Sequence, residues 1–378
     1  MNILYVGFYE LPDMDAAANR VVNNAKVLQD AGHVVIFIDE KKEGVSKDIL
    51  CNKSYMGNAD VWSTLRPYSF IQYIKKMVSA SNIINVVKQY DKIDVIIAYN
   101  YPAIALGKLR RFCRSNEIKL VSDCTEWYSG KEYSFPKSVF SALDSCLRMC
   151  LIQKKLDGVI CISNYLDKYY KDQYTIRIPP LVDLDALEWN QDIYKWSTNK
   201  LNLIYAGNPG KSKELILPVL RAIEKSINRN NIVFRIVGIT KEQFNELYPG
   251  NEKLLENTQE SVYFFGRLPH NETVKMVSSS DYMIFMRPCN RVSMAGFSTK
   301  FVEAISCGTS VITTDTGELR QILEYTHSGI VINNEDELSD YFNNNLNMLK
   351  ENAIIRDRSL FDYRKYVREF SKWISNMK

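Results

Sequence analysis

The sequence lacks any apolar run approaching the roughly 18 residues of a membrane-spanning helix. Its longer runs, such as Val34 to Ile38 and Val95 to Ala98, are a fraction of that, so no segment is expected to cross a bilayer. Histidine is scarce: His33, His270 and His327 are scattered without ligand spacing, so no metal site and no cofactor are expected. His33 opens a strand behind a helix-ending Gly32 and reads as structural. The eight cysteines, at 51, 113, 124, 146, 150, 161, 289 and 307, include no CxxC pair and sit mostly among apolar neighbours. In a reducing cytosol they read as small buried hydrophobes. Met1 to Phe8 runs straight into a strand pattern with no basic n-region, so no secretory signal is visible and a cytoplasmic location is expected. Charge of one sign is also missing. Forty-eight Lys and Arg against 44 Asp and Glu leave +4, which argues against a dedicated nucleic-acid binder. After the first strand, Gly7-Phe8-Tyr9-Glu10-Leu11-Pro12 lacks GxGxxG, and no GxxxxGK[ST] occurs anywhere, which removes the main support for a dehydrogenase or a P-loop ATPase.

What is present is a chain of 378 residues, 46% apolar and 24% charged, a globular composition long enough for two domains. Short apolar runs alternate with segments of helical period, the signature of parallel βα units and an α/β fold. Asn2 to Phe8, the helix Ala16 to Ala31 and His33 to Asp39 form one βαβ unit. Further strands are expected at Ile93 to Tyr99, Ile118 to Asp123 and Gly158 to Ile162, with helices around 102–115 and 138–156. Lys41 to Leu65 shows no clear period and reads as an irregular excursion. At Ile178-Pro179-Pro180-Leu181-Val182-Asp183 two prolines remove amide donors and force extended backbone, which marks a hinge. The rhythm restarts with Leu201 to Ala206, Ile232 to Val237, Val262 to Phe265, Asp281 to Met286, Thr309 to Thr313 and Ile330 to Ile332. The expected organisation is 1–180, 181–359 and a terminal helix at 360–378.

Three loops behind strands of the second half carry candidate chemistry, since doubly wound folds bind ligands there. Gly207-Asn208-Pro209-Gly210-Lys211-Ser212-Lys213 precedes a helix expected to begin near Lys213. Small residues let a phosphate approach backbone amides while the lysines supply charge; a plain turn with solvated lysines is the alternative. Gly266-Arg267-Leu268-Pro269-His270 is a candidate to read a nucleobase edge, and an ordinary turn explains it equally well. From Arg287 the third loop runs into Gly296-Phe297-Ser298-Thr299, where Ser298 and Thr299 can cap a helix and offer amides to a diphosphate. Glu303, one turn in, can accept two ribose hydroxyls or stand as a solvated helix glutamate. In the first half, Asp123 and Glu126 follow a strand and are candidates to orient an acceptor hydroxyl or to cap backbone.

Taken in order, Asp157-Gly158-Val159-Ile160-Cys161-Ile162-Ser163-Asn164, the Pro179-Pro180 segment, Ser298-Thr299-Lys300-Phe301-Val302-Glu303-Ala304 and Gly308-Thr309-Ser310-Val311-Ile312 resemble glycosyltransferase family 4. That family comprises retaining nucleotide-sugar transferases of the GT-B fold. The resemblance covers essentially the whole chain. It implies two Rossmann-like parallel-sheet domains facing a cleft, an acceptor side first and a donor side second, with the terminal helix packing back toward the first. It further implies that Lys213, with Lys211 beside it, binds the diphosphate, that Glu303 holds the ribose, and that Gly207, Asn208, Gly210, Arg267, Leu268, Arg287 and the backbone of Gly296, Phe297, Ser298 and Thr299 complete the donor site.

Two departures stand out. The arginine that often follows the family's glycine is here Asn208, for which Lys211 or Arg287 can compensate, and the first of its paired glutamates, eight residues before Glu303, falls on Ala295. The implied function is transfer of a sugar from a UDP-sugar or GDP-sugar to a glycan or polyprenyl-linked acceptor in bacterial surface polysaccharide synthesis. Lys75 and Lys76, among Ile71, Ile74 and Val78, together with 108–114 are candidates for a basic and apolar face in peripheral contact with the inner face of the cell membrane, with plain solvated helix faces as the favoured alternative. The alternatives are a non-catalytic sugar-nucleotide-binding homologue, favoured by Ala295, and a GT-B sugar-nucleotide epimerase, which the histidine-poor loops disfavour.

Overall fold

The computed structural model describes residues 1–13, 15–42, 52–128, 135, 137–189, 196, 199–210, 214–353 and 357–377. The chain forms two compact units, the first comprising Met1–Val182, Ala295–Phe297 and Tyr363–Lys378, the second Asp183–Met294 and Ser298–Asp362.

The first unit holds an eight-stranded sheet built from β1 (Asn2–Val6), β2 (Val34–Lys41), β3 (Asn52–Met56), β4 (Ala59–Leu65), β5 (Val95–Tyr99), β6 (Lys119–Cys124), β7 (Gly158–Cys161) and β8 (Thr175–Arg177). Its order is β3-β4-β2-β1-β5-β6-β7-β8, parallel except for the β3–β4 pair. The helix Ala16–Asp30 starts where the Asp15 side chain accepts from the Ala18 amide, and it buries Val21, Ala25 and Leu28 against one sheet face. The helix Val367–Ser375 covers the same face with Phe370, Trp373 and Ile374, and Trp373 stacks on Tyr174 at 5.2 Å. The opposite face packs on Ser81–Val87 and Ala103–Ser115.

Within 41–65, 43–51 lie outside the described residues and the remainder is not irregular. β3 and β4 form an antiparallel hairpin turning at Gly57-Asn58, with Gly57 at φ +59°. Burial along β4 alternates at its start, and a Gly-Asn turn between two short runs is itself a hairpin signal. The helix expected over 138–156 ends at Leu147 and gives way to a wide turn, Arg148–Ile152, and a tight one, Gln153–Lys155. Gln153 is buried there, donating to Ser122 Oγ at 2.6 Å and accepting from Tyr170 at 2.6 Å.

The second unit holds six parallel strands, β9 (Leu201–Ala206), β10 (Ile232–Val237), β11 (Val262–Gly266), β12 (Tyr282–Phe285), β13 (Ser310–Thr314) and β14 (Gly329–Ile332), in the order β11-β10-β9-β12-β13-β14. The reversal beside β9, where the chain crosses to β12, is a topological switch point, and loops at the carboxyl ends there form the natural ligand edge. The sequence reading puts all of 181–359 together; Leu181, Val182 and Ala295–Phe297 instead cluster with the first unit, where Ser163 Oγ donates to the Ala295 carbonyl at 2.7 Å.

Candidate active site

Three adjacent strands of the second unit end in glycines with positive φ: Gly207 at +139°, Gly266 at +65° and, one residue past β10, Gly238 at +121°. Their backbones interlock. Gly207 N–H donates to the Val237 carbonyl at 2.9 Å, Gly238 N–H to the Gly266 carbonyl at 2.7 Å, and Gly266 N–H to the Ile239 carbonyl at 3.1 Å. A Cβ on Gly238 would fall 1.9 Å from the Gly207 carbonyl oxygen, and one on Gly207 would fall 2.3 Å from Cε of Lys300. Gly238 is required because a Cβ there would strike backbone, whereas at Gly207 the positive φ favours glycine and the lysine end is a movable neighbour.

The first loop closes tightly, with Gly210 N–H donating to the Glu214 carbonyl at 3.0 Å and Tyr248 Oη donating to the Gly210 carbonyl at 3.0 Å. Asn208 is exposed. Lys211 and Lys213, expected to bind the diphosphate, lie outside the described residues. The following helix does not begin near Lys213. Leu215 is drawn into a bridge with Met286, and the helix spans Leu217–Lys225 with Pro218 in its first turn, so the glycine loop does not lead directly into a helix N-terminus.

In the second loop Arg267 is exposed and Leu268 half-buried, ahead of the helix His270–Ser279. In the third, Gly296 is half-buried and Phe297 buried; buried Ser298 caps the helix Thr299–Cys307 by accepting from the Phe301 amide at 3.4 Å, and half-buried Thr299 begins it. Glu303 sits half-buried one turn in. Burial pushes its carboxyl above the usual glutamate range, against the lowering pull of Lys300 and His270, while Glu214 and Glu188 push in the same direction as burial. Arg287 is 4% exposed, its amide donating to Thr314 Oγ1 at 2.8 Å and its carbonyl accepting from the same hydroxyl at 2.6 Å. It lines a cavity of about 720 Å³ with Met294, Thr314, Gly317 and Arg320.

Sequence reasoning missed the ionic centre of this edge. Lys300 Nζ lies 2.6 Å from Glu214 Oε2, which also accepts from Tyr205 Oη at 3.0 Å. Burial raises the Glu214 carboxyl, but Lys300, Arg287 and the Tyr205 hydroxyl outweigh it and hold the group below its ordinary value. One signal was available: Lys300 and Glu303 stand three apart on a helix and so share a face.

In the first unit, Asp123 cannot orient an acceptor. It is fully buried; Arg20 grips it through Nη2 at 2.8 Å and Nε at 3.0 Å, and Tyr5 Oη donates to it at 2.5 Å. Arg20 Nη1 also donates to the carbonyls of Ile178 and Pro179 at 3.0 and 3.1 Å. Asp123 therefore ties β6 to β1, to the first helix and to the chain entering the Pro179-Pro180 segment. Glu126 remains half-buried beyond β6, its carbonyl accepting from Arg148 at 3.1 Å. Among the described residues no group of His, Cys, Asp and Glu could hold a metal ion, and no helix is long and apolar enough to cross a membrane. Cys113, Cys124, Cys161 and Cys307 are buried as expected, whereas Cys146 and Cys289 are exposed.

Residues 190–359 match the family described as glycosyl transferases group 1. No curated protein matches the sequence. Solved structures match across the whole chain. Sucrose-phosphate synthase from Thermosynechococcus elongatus shares 15% identity at a TM-score of 0.71, covering 99% of this chain and 98% of that one. An E. coli trehalose-6-phosphate structure bound with UDP-2-fluoro glucose shares 10% at 0.68, covering 100% of both. Anabaena HepE in complex with UDP shares 15% at 0.63, covering 99% and 100%. The group 1 match over 190–359 is consistent with the resemblance read from the sequence, and the α/β fold of two parallel-sheet units is that of GT-B glycosyltransferases.

Proposed function

We propose that this protein is a retaining glycosyltransferase of hexosyl type, moving a sugar from a UDP-sugar or GDP-sugar to a glycan or polyprenyl-linked acceptor in bacterial surface polysaccharide synthesis. The observation that carries the reading is the carboxyl edge of β9, β10 and β11, where three interlocked glycines bring backbone close beside the Lys300 ammonium, and Glu303 lies on the face of Lys300's helix. The group 1 match covers this same stretch of chain, and structural relatives hold UDP and UDP-2-fluoro glucose.

In the reaction, the bond from the anomeric carbon to the diphosphate oxygen breaks with its electron pair going to the phosphate. The acceptor oxygen bonds to the anomeric carbon on the face the leaving group occupied, and the acceptor proton departs with the diphosphate. Negative charge grows on the leaving group, and preorganised amides and cations around it can each lower the barrier by about 3 kcal/mol; Lys211 and Lys213 are the lysines proposed to bind the diphosphate. Glu303 holds the ribose. Glu126 is the remaining candidate to orient the acceptor hydroxyl. Incubation with radiolabelled UDP- and GDP-sugars and lipid-linked acceptors is expected to move label from one donor class into product with its anomeric configuration kept; inverted product, or epimerised donor without transfer, would contradict the reading.

A lipid-linked acceptor calls for work at a membrane surface. The exposed cations of the helix Ala103–Ser115 are Lys108, Arg111 and Arg114, while Cys113 is buried and Arg110 Nε donates to the Lys155 carbonyl at 2.7 Å. The apolar part of the surface is therefore supplied elsewhere: Phe70 and Ile71 on the helix Phe70–Val78, and Val139, Phe140 and Leu143 on the helix Lys137–Leu147, all exposed, with Phe70 meeting Phe140 edge to face at 5.9 Å. Cations beside apolar side chains suit the anionic inner leaflet, at about 1 kcal/mol per Lys or Arg. The protein is expected to sediment with anionic vesicles and much less with neutral ones; equal pelleting would remove the electrostatic attraction.

A further inference from the structure

Lys300 is an unusual place for a cation. It stands in the first turn of the helix Thr299–Cys307, where the macrodipole disfavours positive charge, and its side chain is only 15% exposed. An anion holds it there: Glu214, at 2.6 Å. The ammonium also lies 5.6 Å from the Tyr205 ring centroid and close against the Gly207 backbone, where an added Cβ would come within 2.6 Å of Nζ. Gly207 opens the donor loop, and the next residue, Asn208, brings no charge. Lys300 and Arg287 both act on the Glu214 carboxylate, and Lys300 acts as well on Glu303, one turn along its own helix.

We propose that Lys300 binds the donor diphosphate, supplying at the β9 edge the cation that Asn208 does not, and that Glu214 is the resident anion with which the incoming phosphate shares it. The proposal rests on the donor-site reading above and adds two residues with opposite effects. Lys300 attracts the diphosphate, whereas Glu214 keeps the ammonium in place over Gly207 at the cost of repelling the ligand. Tyr205, donating to Glu214 Oε2 at 3.0 Å, keeps that carboxylate oriented when the ammonium turns toward phosphate.

Calorimetric titration of the full chain with UDP and GDP, beside NMR titration with uridine and guanosine, tests this. Lys300→Met is expected to weaken the diphosphate about tenfold to hundredfold, the loss of a charge-assisted hydrogen bond, and to leave the nucleoside of the same base unchanged. Glu214→Gln is expected to tighten the diphosphate severalfold. Removing Lys300 alone strands a nearly buried carboxylate, which endangers folding. The double variant Lys300→Met/Glu214→Gln avoids this and is expected to bind the diphosphate as weakly as Lys300→Met. If Lys300→Met, or the double variant where the single one does not fold, leaves diphosphate affinity at the wild-type value, or weakens nucleoside and diphosphate alike, the proposal is overturned while the donor site stands. If the wild-type protein binds neither UDP nor GDP, both fall together.

Discussion

Asp123→Ala is expected to cost about 3 to 5 kcal/mol of stability, because it leaves the Arg20 guanidinium buried without its counter-charge. That is a large share of the roughly 5 to 15 kcal/mol that holds an ordinary domain together. The loss exceeds that of a single contact because Asp123 accepts from both Arg20 and Tyr5, and Arg20 in turn holds the Ile178 and Pro179 carbonyls. Burial and the Asp123 charge already push the Tyr5 hydroxyl well above its usual value, so that phenol stays protonated and cannot supply a substitute anion. Asp123→Asn keeps the shape and one acceptor and should fall between the two. Urea denaturation followed through the first unit's tryptophans checks this; a loss below about 1 kcal/mol, the worth of an exposed pair, would return Asp123 to the list of surface carboxylates. An Asp123→Asn protein of full stability and no activity would revive its acceptor role.

The second unit was the more legible of the two. Leu201–Ala206 and Ile232–Val237 have the bounds expected from sequence, since strands buried on both faces of a parallel sheet read as near-continuous apolar runs, interrupted here only by Asn202 and Arg235. The hairpin of β3 and β4 is hard to read because Asn52–Met56 carries three polar residues among five, Asn52, Lys53 and Ser54, and so shows no apolar run. The start of the helix after the glycine loop was misplaced although Pro218 marked its first turn. At the candidate site, Gly207, Gly296, Ser298 and Glu303 are legible as candidates because chain order alone singles them out. The Lys300 to Glu214 and Arg20 to Asp123 pairs join residues far apart in sequence, and no local period encodes a partner across a sheet.

Glu303→Gln is the second large effect. It preserves size and one acceptor oxygen but removes the charge, so donor binding should fall by roughly 1.5 to 3 kcal/mol, about tenfold to hundredfold. A pH dependence accompanies it. The carboxylate must be ionised to accept both ribose hydroxyls, and burial raises its pKa. Acidification therefore protonates Glu303 at a higher pH than a solvated glutamate, and donor affinity should decline as pH falls through that raised value. In Glu303→Gln this decline should be absent.

The central claim, that the second unit's glycine edge and Glu303 hold a nucleoside diphosphate, is tested most directly by the affinity of the full-length protein for UDP and GDP, measured for wild type and Glu303→Gln under identical conditions. The account predicts that one of the two nucleotides binds the wild type and that Glu303→Gln binds the same nucleotide about tenfold to hundredfold more weakly with its fold intact. Equal affinity in the two proteins, or no binding of either nucleotide to the wild type, would contradict it.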